Sequence, residues 1–197
     1  MGEQLRDRVA ETIVAAATDL ISRRGESVTM ADVAAAAGVG RATLYRYFPN
    51  RTALLIAISR TAVDDLSARI EQAELATVDP REGINRLTRA FLSVGRRYGA
   101  LRHTNHGTLD HADLDRRVTS PVLALIERAR QSGSLRGDLS ASVLFVLFAG
   151  LLDAAVSQGV DDLGGLEPAA ATVASIFLDG ASGGSRDNRD PASKLGP

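Results

Sequence analysis

Apolar residues recur at helical spacing along nearly the whole chain, and no segment alternates apolar with polar positions as a half-buried strand would. Val9, Ile13, Ala16 and Leu20 predict a first helix ending before Gly25. Arg23 and Arg24 fall in its last turn, where cations meet the negative end of the helix dipole. Met30, Val33, Ala34 and Ala37 stand at i, i+3, i+4 and i+7 and predict a second helix. Thr29 is placed to cap it with Asp32 three residues on, and alanines, the best helix formers, follow Val33. Gly38 is then suited to a left-handed turn, with Val39 to plug the corner. A third helix, Arg41 to about Tyr47, is too short to be stable alone and must bury Leu44 and Phe48. Pro49 stops it.

A fourth helix is predicted from Arg51 to about Glu74, with Leu55, Ile58, Ala62, Leu66 and Ile70 on one face, and a boundary follows at Ala76 to Pro80. Beyond it Ile84, Leu87, Phe91, Val94 and Tyr98 form another stripe. Arg86, Arg89, Arg96 and Arg97 lie opposite, expected in solvent. Arg102 to Asp115 is less regular. Ser120 is expected to cap a helix opening at Pro121 and carrying Val122, Leu125, Ile126 and Ala129, which Gly133 and Gly137 end. An apolar helix follows from Asp138 or Ser140 to about Ser157. Pro168 opens a last one with Ala170, Val173, Ala174 and Phe177 on one side, ended by Gly180. No internal repeat is visible, and the tail has the composition of a disordered end.

The chemistry concentrates in residues 28–55, two short helices joined by a glycine turn. With Leu44 and Phe48 buried, the third helix turns Arg41, Ala42, Thr43, Tyr45, Arg46 and Tyr47 outward. That suits a helix whose first residues enter a major groove. Arginine can take guanine in bidentate fashion, threonine and alanine can meet a thymine methyl, and tyrosine hydroxyls can bond phosphates or bases. A new helix near Arg51 would offer its N-terminus to a phosphate. Charge agrees locally. The chain carries net charge −1, yet no acid stands between Val33 and Val63, where Arg41, Arg46, Arg51 and Arg60 occur. Residues 1–60 hold 8 Arg against 6 acids, and residues 61–180 hold 12 Arg against 16 acids. The field that attracts nucleic acid sits at one end.

The stretch TMADVAAAAGVGRATLYRYFPNRTALL resembles the N-terminal helix-turn-helix signature of the TetR/AcrR-type transcriptional regulators, most specifically in LYRYF followed by a basic residue and a Leu-Leu pair. The resemblance covers about residues 5–70. It implies that Thr29 and Tyr47 meet phosphates, that Arg41 to Arg46 line the groove, and that Arg51 stands where the family usually has a phosphate-binding lysine. Gly40 and Ala42 depart from the family's frequent serine and glycine, so an operator sequence cannot be borrowed from relatives.

The resemblance implies an all-α fold of about nine helices: an N-terminal three-helix DNA-binding domain and a C-terminal helical ligand-binding and dimerisation domain. The expected division is 1–50 for the helix-turn-helix domain, 51–75 for a linking helix, 76–180 for effector binding and dimerisation, and 181–197 for the tail. An effector pocket is expected among Phe91, Leu92, Tyr98, His103, Phe145 and Phe148, although each of these residue types is more often plain core. The last two helices are expected to pair two subunits through Leu147, Leu151, Ala154, Ala171, Ala174 and Phe177. The expected partners are a double-stranded DNA operator, a small-molecule effector and a second copy of the chain, with no membrane and no cofactor.

Composition adds few constraints. The chain has no cysteine, which excludes disulfides and thiolate metal sites and is compatible with a reducing cytoplasm. Its charged, amphipathic start has no apolar signal region. Arginine supplies 22 of 23 basic residues. Leu139 to Leu152 is free of charge but spans only 14 residues. A bilayer needs about 20, so a buried or interface helix is expected. His103, His106 and His111 cluster with Asp110, Asp113 and Asp115. Their spacing matches no firm helical ligand motif and reads as a solvated loop, with a metal-responsive regulator as the alternative. An enzyme is disfavoured, because the chain has no cysteine nucleophile, no GxSxG elbow and no phosphate-binding glycine loop.

Overall fold

The computed structural model of the chain describes residues 2–99 and 111–182. These form α1 (Gly2–Arg24), α2 (Met30–Ala36), α3 (Arg41–Tyr47), α4 (Arg51–Gln72), α5 (Pro80–Tyr98), α6 (His111–Leu114), α7 (Ser120–Gln131), α8 (Ala141–Gln158) and α9 (Leu166–Gly180). No strand occurs among the described residues. His103, His106, Asp110 and the tail from residue 183 lie outside them.

Local chemistry sets most boundaries. Asn50 caps α4, its side-chain oxygen accepting from the Ala53 amide at 2.8 Å. Asp79 caps α5, accepting from Arg81 at 2.9 Å, with Pro80 at the first helical position where a missing N–H costs nothing. Ser140 caps α8 through the Val143 amide. After Gln72, Glu74 takes φ 51°, a left-handed conformation that ends α4 slightly earlier than expected.

One start differs from expectation. Ser120 does not cap α7, because α6 runs through a π-helical segment, Asp115–Thr119, directly into it. The wider turn accommodates Pro121, which has no N–H to return to the preceding turn. It also turns Val118 inward, while the Ser120 hydroxyl faces Asp115.

Two hydrophobic cores result. The first gathers Ile13, Ala17, Ile21, Val28, Val33, Leu44, Leu54 and Ile58 from α1 to α4, and Tyr98 joins it from the far end of α5. The second gathers Leu66 and Ile70 of α4 with Ile84, Leu87, Leu92, Val122, Leu125, Ile126, Leu144, Phe148, Leu152 and Phe177. Each of the buried Val, Leu, Ile and Phe side chains contributes roughly 1.5–3 kcal/mol by leaving water. α4 therefore belongs to both cores, its first half to one and its second half to the other.

The α5 arginines reach solvent but are not idle there. Arg89 grips Glu167 at the start of α9 with two nitrogens at 2.8–3.0 Å, Arg96 pairs with Asp161 at 3.0 Å, and Arg97 pairs with Asp65 of α4 at 3.5 Å. Exposed pairs of this kind are worth little each, about 0–1 kcal/mol, but they fix which turns face one another.

α5 and α8 cross closely because Gly95 and Gly99 present no side chain to Val156. A methyl added at Gly95 would collide with Val156 Cγ2, and one at Gly99 would sit 2.9 Å from Val156 Cγ1. Gly95→Ala is expected to destabilise the protein by about 1–3 kcal/mol through overpacking, read as a lower denaturant midpoint. Adding Val156→Ala should recover part of that loss. Independent, additive effects would show that the two residues do not meet.

Candidate nucleic-acid interface

The turn between α2 and α3 is closed by backbone bonds alone. Gly38, at φ 66°, donates to Ala35 O at 3.2 Å, and Val39 donates to Ala34 O at 3.0 Å. This paired pattern ends α2 and swings the chain into α3. At the other end of α2, the Thr29 hydroxyl accepts from the Asp32 amide at 3.2 Å while Asp32 Oδ2 accepts from the Thr29 amide at 2.9 Å. The same hydroxyl donates to Asp32 Oδ2 at 2.6 Å. These Thr29 bonds, side-chain first and backbone second, hold the Asp32 carboxyl below its ordinary value.

α3 has seven residues and a single fully buried one, Leu44 at 0 % exposure. Phe48, just past the helix, is buried too, and its amide closes the last turn on Leu44 O at 2.9 Å. Arg41, Ala42, Tyr45 and Arg46 are exposed, Thr43 and Tyr47 half-buried. Tyr45, at 48 % exposure, is a large aromatic that nothing covers, and the Arg46 guanidinium lies 5.4 Å from the Tyr47 ring centre. One convex surface thus carries two cations, an aromatic hydroxyl and a methyl. These are the groups that bond guanine edges, phosphates and thymine methyls.

Two expected phosphate contacts are otherwise occupied. The Thr29 hydroxyl spends its only hydrogen on Asp32, so it serves α2 as a cap and has none left for a phosphate oxygen. Arg51 bends back to donate to the Val28 carbonyl, tying the start of α4 to the segment before α2.

A cavity of about 310 Å³ opens between α5 and α8. Phe91 and Tyr98, both expected there, line it with Val94, Leu152 and Val156, and Ala149 and Asp153 lie on α8. Leu92 and Phe148, expected with them, are instead fully packed in the core, Phe148 against Phe177 with ring centres 4.7 Å apart. Phe145 packs at the core edge. The Tyr98 hydroxyl donates to Asp65 Oδ2 at 2.6 Å. Burial first, and the Asp65 carboxylate second, push its pKa up to about 12, so it is a hydrogen-bond donor at neutral pH.

The outer face of α8 and α9 is apolar and uncovered. Val146 is 65 %, Ile176 54 % and Leu147 53 % exposed, and they line a groove of about 470 Å³ with Leu151 and Gly150. Leu147, Ala154 and Ala171, expected at a subunit contact, are exposed, and Leu151 is half-buried. Ala174 and Phe177 are buried beneath that face, Phe177 at the floor of the groove. They are 1 % and 3 % exposed, inside their own subunit's core. Val143, Val146 and Ile176 were absent from the expected set. Continuing the helical period outward from Leu147 would have found the first two. α8 has eighteen residues and is apolar enough to pass for a membrane span by length and composition, because its apolar residues extend all round it. Among the described residues no three histidine, aspartate or glutamate side chains are placed to share an ion.

Residues 13–58 match the profile of the bacterial regulatory proteins, tetR family. That segment, α1 from Ile13 to the first turns of α4, is similar to the DNA-binding region of the TetR family. Over 90 residues the chain is 37 % identical to the HTH-type transcriptional repressor LfrR of Mycolicibacterium smegmatis, covering 46 % of this chain and 47 % of that protein. In sequence, then, the match spans less than half the length of that curated relative. The fold extends further. The structure of LfrR in complex with proflavine superposes with a TM-score of 0.71 at 24 % identity, covering 89 % of this chain and 97 % of that one. PfmR from Thermus thermophilus superposes with 0.70 at 22 % identity, covering 85 % and 97 %. The family match takes in the α2–turn–α3 unit, and the cavity and the α8–α9 face lie outside it.

Thr29→Ala should cost about 1 kcal/mol of α2 stability by loss of the cap. The folded pKa of Asp32 is depressed, so its share of that cap is full above the ordinary aspartate pKa and disappears as pH falls through the depressed value. Amide protection factors across α2, corrected for the intrinsic exchange rate, should fall in the variant at neutral pH and in the wild type on acidification. Unchanged protection in Thr29→Ala would contradict the capping role.

Proposed function

We propose that the chain is a transcriptional repressor that binds a palindromic operator as a homodimer and is released from it by a small, largely apolar effector. The observation that carries the reading is the outward face of α3, where Arg41, Ala42, Tyr45 and Arg46 stand exposed while Leu44 anchors the helix from behind. A helix so short reads few base pairs. Two copies held about 34–36 Å apart would read two half-sites and gain the specificity that one lacks.

The α8–α9 face is the proposed subunit contact. A second copy of the same face would cover Val146, Leu147 and Ile176 on both partners at once, as a two-fold interface does. A bilayer is the poorer partner, since Asp153, Ser157 and Gln158 share the helix. The proposed division of labour is a reading head built on α1–α3, a shared α4, and a regulatory part from α5 onward. Such a repressor would work in the cytoplasm, where its operator lies.

The cavity between α5 and α8 is the proposed effector site, and α4 the route from it. Two adjacent carboxylates on α4 are held by different parts of the regulatory helices. Asp64 pairs with Arg117 at 2.8 Å, and Asp65 takes Arg97 and the Tyr98 hydroxyl. Tyr98 also lines the cavity, so a ligand that displaces its ring acts on the hold over α4 and on the position of α3 beyond it. An effector shifts the equilibrium only by its difference in affinity between the two states, ordinarily worth about 1–3 kcal/mol.

In a gel-shift titration with the protein's own upstream DNA, Arg41→Ala combined with Tyr45→Ala should abolish specific binding while circular dichroism is unchanged. Wild-type affinity should fall steeply as salt is raised, because phosphate contacts release counterions. An unaltered operator affinity in the double variant would remove α3 from the interface.

Leu147→Glu should convert the protein to a monomer in analytical ultracentrifugation and weaken operator binding with it. A dimer that survives this substitution would move the subunit contact to another face.

A further inference from the structure

The core of the DNA-binding part does not close where it meets the last turn of α5. Between α1, the end of α3, α4 and α5 lies an open cavity of about 300 Å³, separate from the one between α5 and α8. Most of its surface is apolar, from Ala10, Val14 and Ala57, and two aromatic side chains bound it: Phe48, which closes the last turn of α3, and Tyr98. The polar groups are unbalanced in one direction. Thr18 and Thr61 give their hydroxyl hydrogens to the backbone carbonyls of Val14 and Ala57, at 2.8 and 3.1 Å, which leaves only acceptor lone pairs toward the space. Arg97, the cation in the lining, is already paired with Asp65 and stacked 5.4 Å from the centre of the Tyr98 ring. Glu11 has no hydrogen-bond or ion-pair partner among the described residues. The site therefore offers hydroxyl acceptors, two aromatic rings and one uncompensated carboxylate, and no free donor cation.

We propose that this junction cavity is a second ligand site, one that takes a small planar organic cation. The apolar body would replace water against Val14, Ala57 and Phe48, and the charge would be met by Glu11 and by the aromatic faces. A molecule held there touches the residue that ends α3 and the residue that closes the α5–α8 cavity. It would thus bear on DNA reading without passing through the first site.

Thioflavin T is a suitable probe, being a planar cation that fluoresces when immobilised, and its uncharged benzothiazole analogue lacks only the ring N-methyl cation. The two cavities are separated by Ala149→Trp, which fills the α5–α8 space from an exposed position, and Ala15→Trp, which fills the junction space from another. In full-length Ala149→Trp protein, thioflavin T should still bind, and the uncharged analogue should bind about tenfold more weakly. Adding Ala15→Trp should abolish that binding, and adding Glu11→Gln should weaken it about tenfold, with wild-type circular dichroism and unfolding midpoint throughout. Loss of all binding in Ala149→Trp alone would place the probe in the first cavity and overturn the proposal. Equal affinity for charged and uncharged probes, or indifference to Glu11→Gln, would overturn its chemical class. Neither result bears on operator binding, so the repressor reading stands or falls separately.

Discussion

A seven-residue helix has too few internal hydrogen bonds to persist in water, and everything at the N-terminal end of this protein follows from how α3 is held. Its grip is one-sided. Leu44 inserts into the core of α1, α2 and α4, Phe48 closes the exit, and the Gly38 turn fixes the angle of approach. Because anchorage comes entirely from behind, the opposite face owes nothing to stability. Arg41, Ala42, Tyr45 and Arg46 can be chosen for what they meet outside the molecule, which is the freedom a sequence reader needs.

The same separation of duties explains what could be read from the chain alone. The helices, the Gly38 turn, the Thr29–Asp32 cap and the buried pair Leu44 and Phe48 follow from local rules of period, capping and turn chemistry, and they are legible. The uncovered apolar face of α8 and α9 was only partly so. Periodicity picks out a stripe but not its direction: Ala174 fills its own core, Phe177 lies at the floor of the groove, and the exposed Val146 and Ile176 fall outside the predicted stripe. For the cavity, aromatic residues on two helices were pooled. Only Phe91 and Tyr98 reach the space, because Leu92 and Phe148 are rotated into the packing between α5, α8 and α9. Contacts between distant segments were invisible: Arg117 on Asp64, Arg89 on Glu167, Arg51 on Val28. The π-helical turn ahead of α7 also left no mark beyond Pro121, a residue that more often announces a helix start.

α4 is where the two halves of the molecule have to agree. Its first turns complete one core and its last turns the other, so neither can be repacked without moving the helix as a body. The carboxylates of Asp64 and Asp65 are the handles on it, and each is held from a different direction. Tyr98 is the least dispensable of these holds, being at once a member of the first core, a donor to α4 and a wall of two separate cavities.

The side-chain-free patch formed by Gly95 and Gly99 under Val156 has a mechanical corollary. With Val156 already seated against bare backbone, α8 has no slack left in the direction of α5. A guest larger than the space already open between them would tilt α8 about that seat as a lever tilts about its pivot. The far arm of the lever is the stretch bearing Val146 and Leu147, so in the proposed dimer a shift of a fraction of a diameter inside one copy would become an angular change between two.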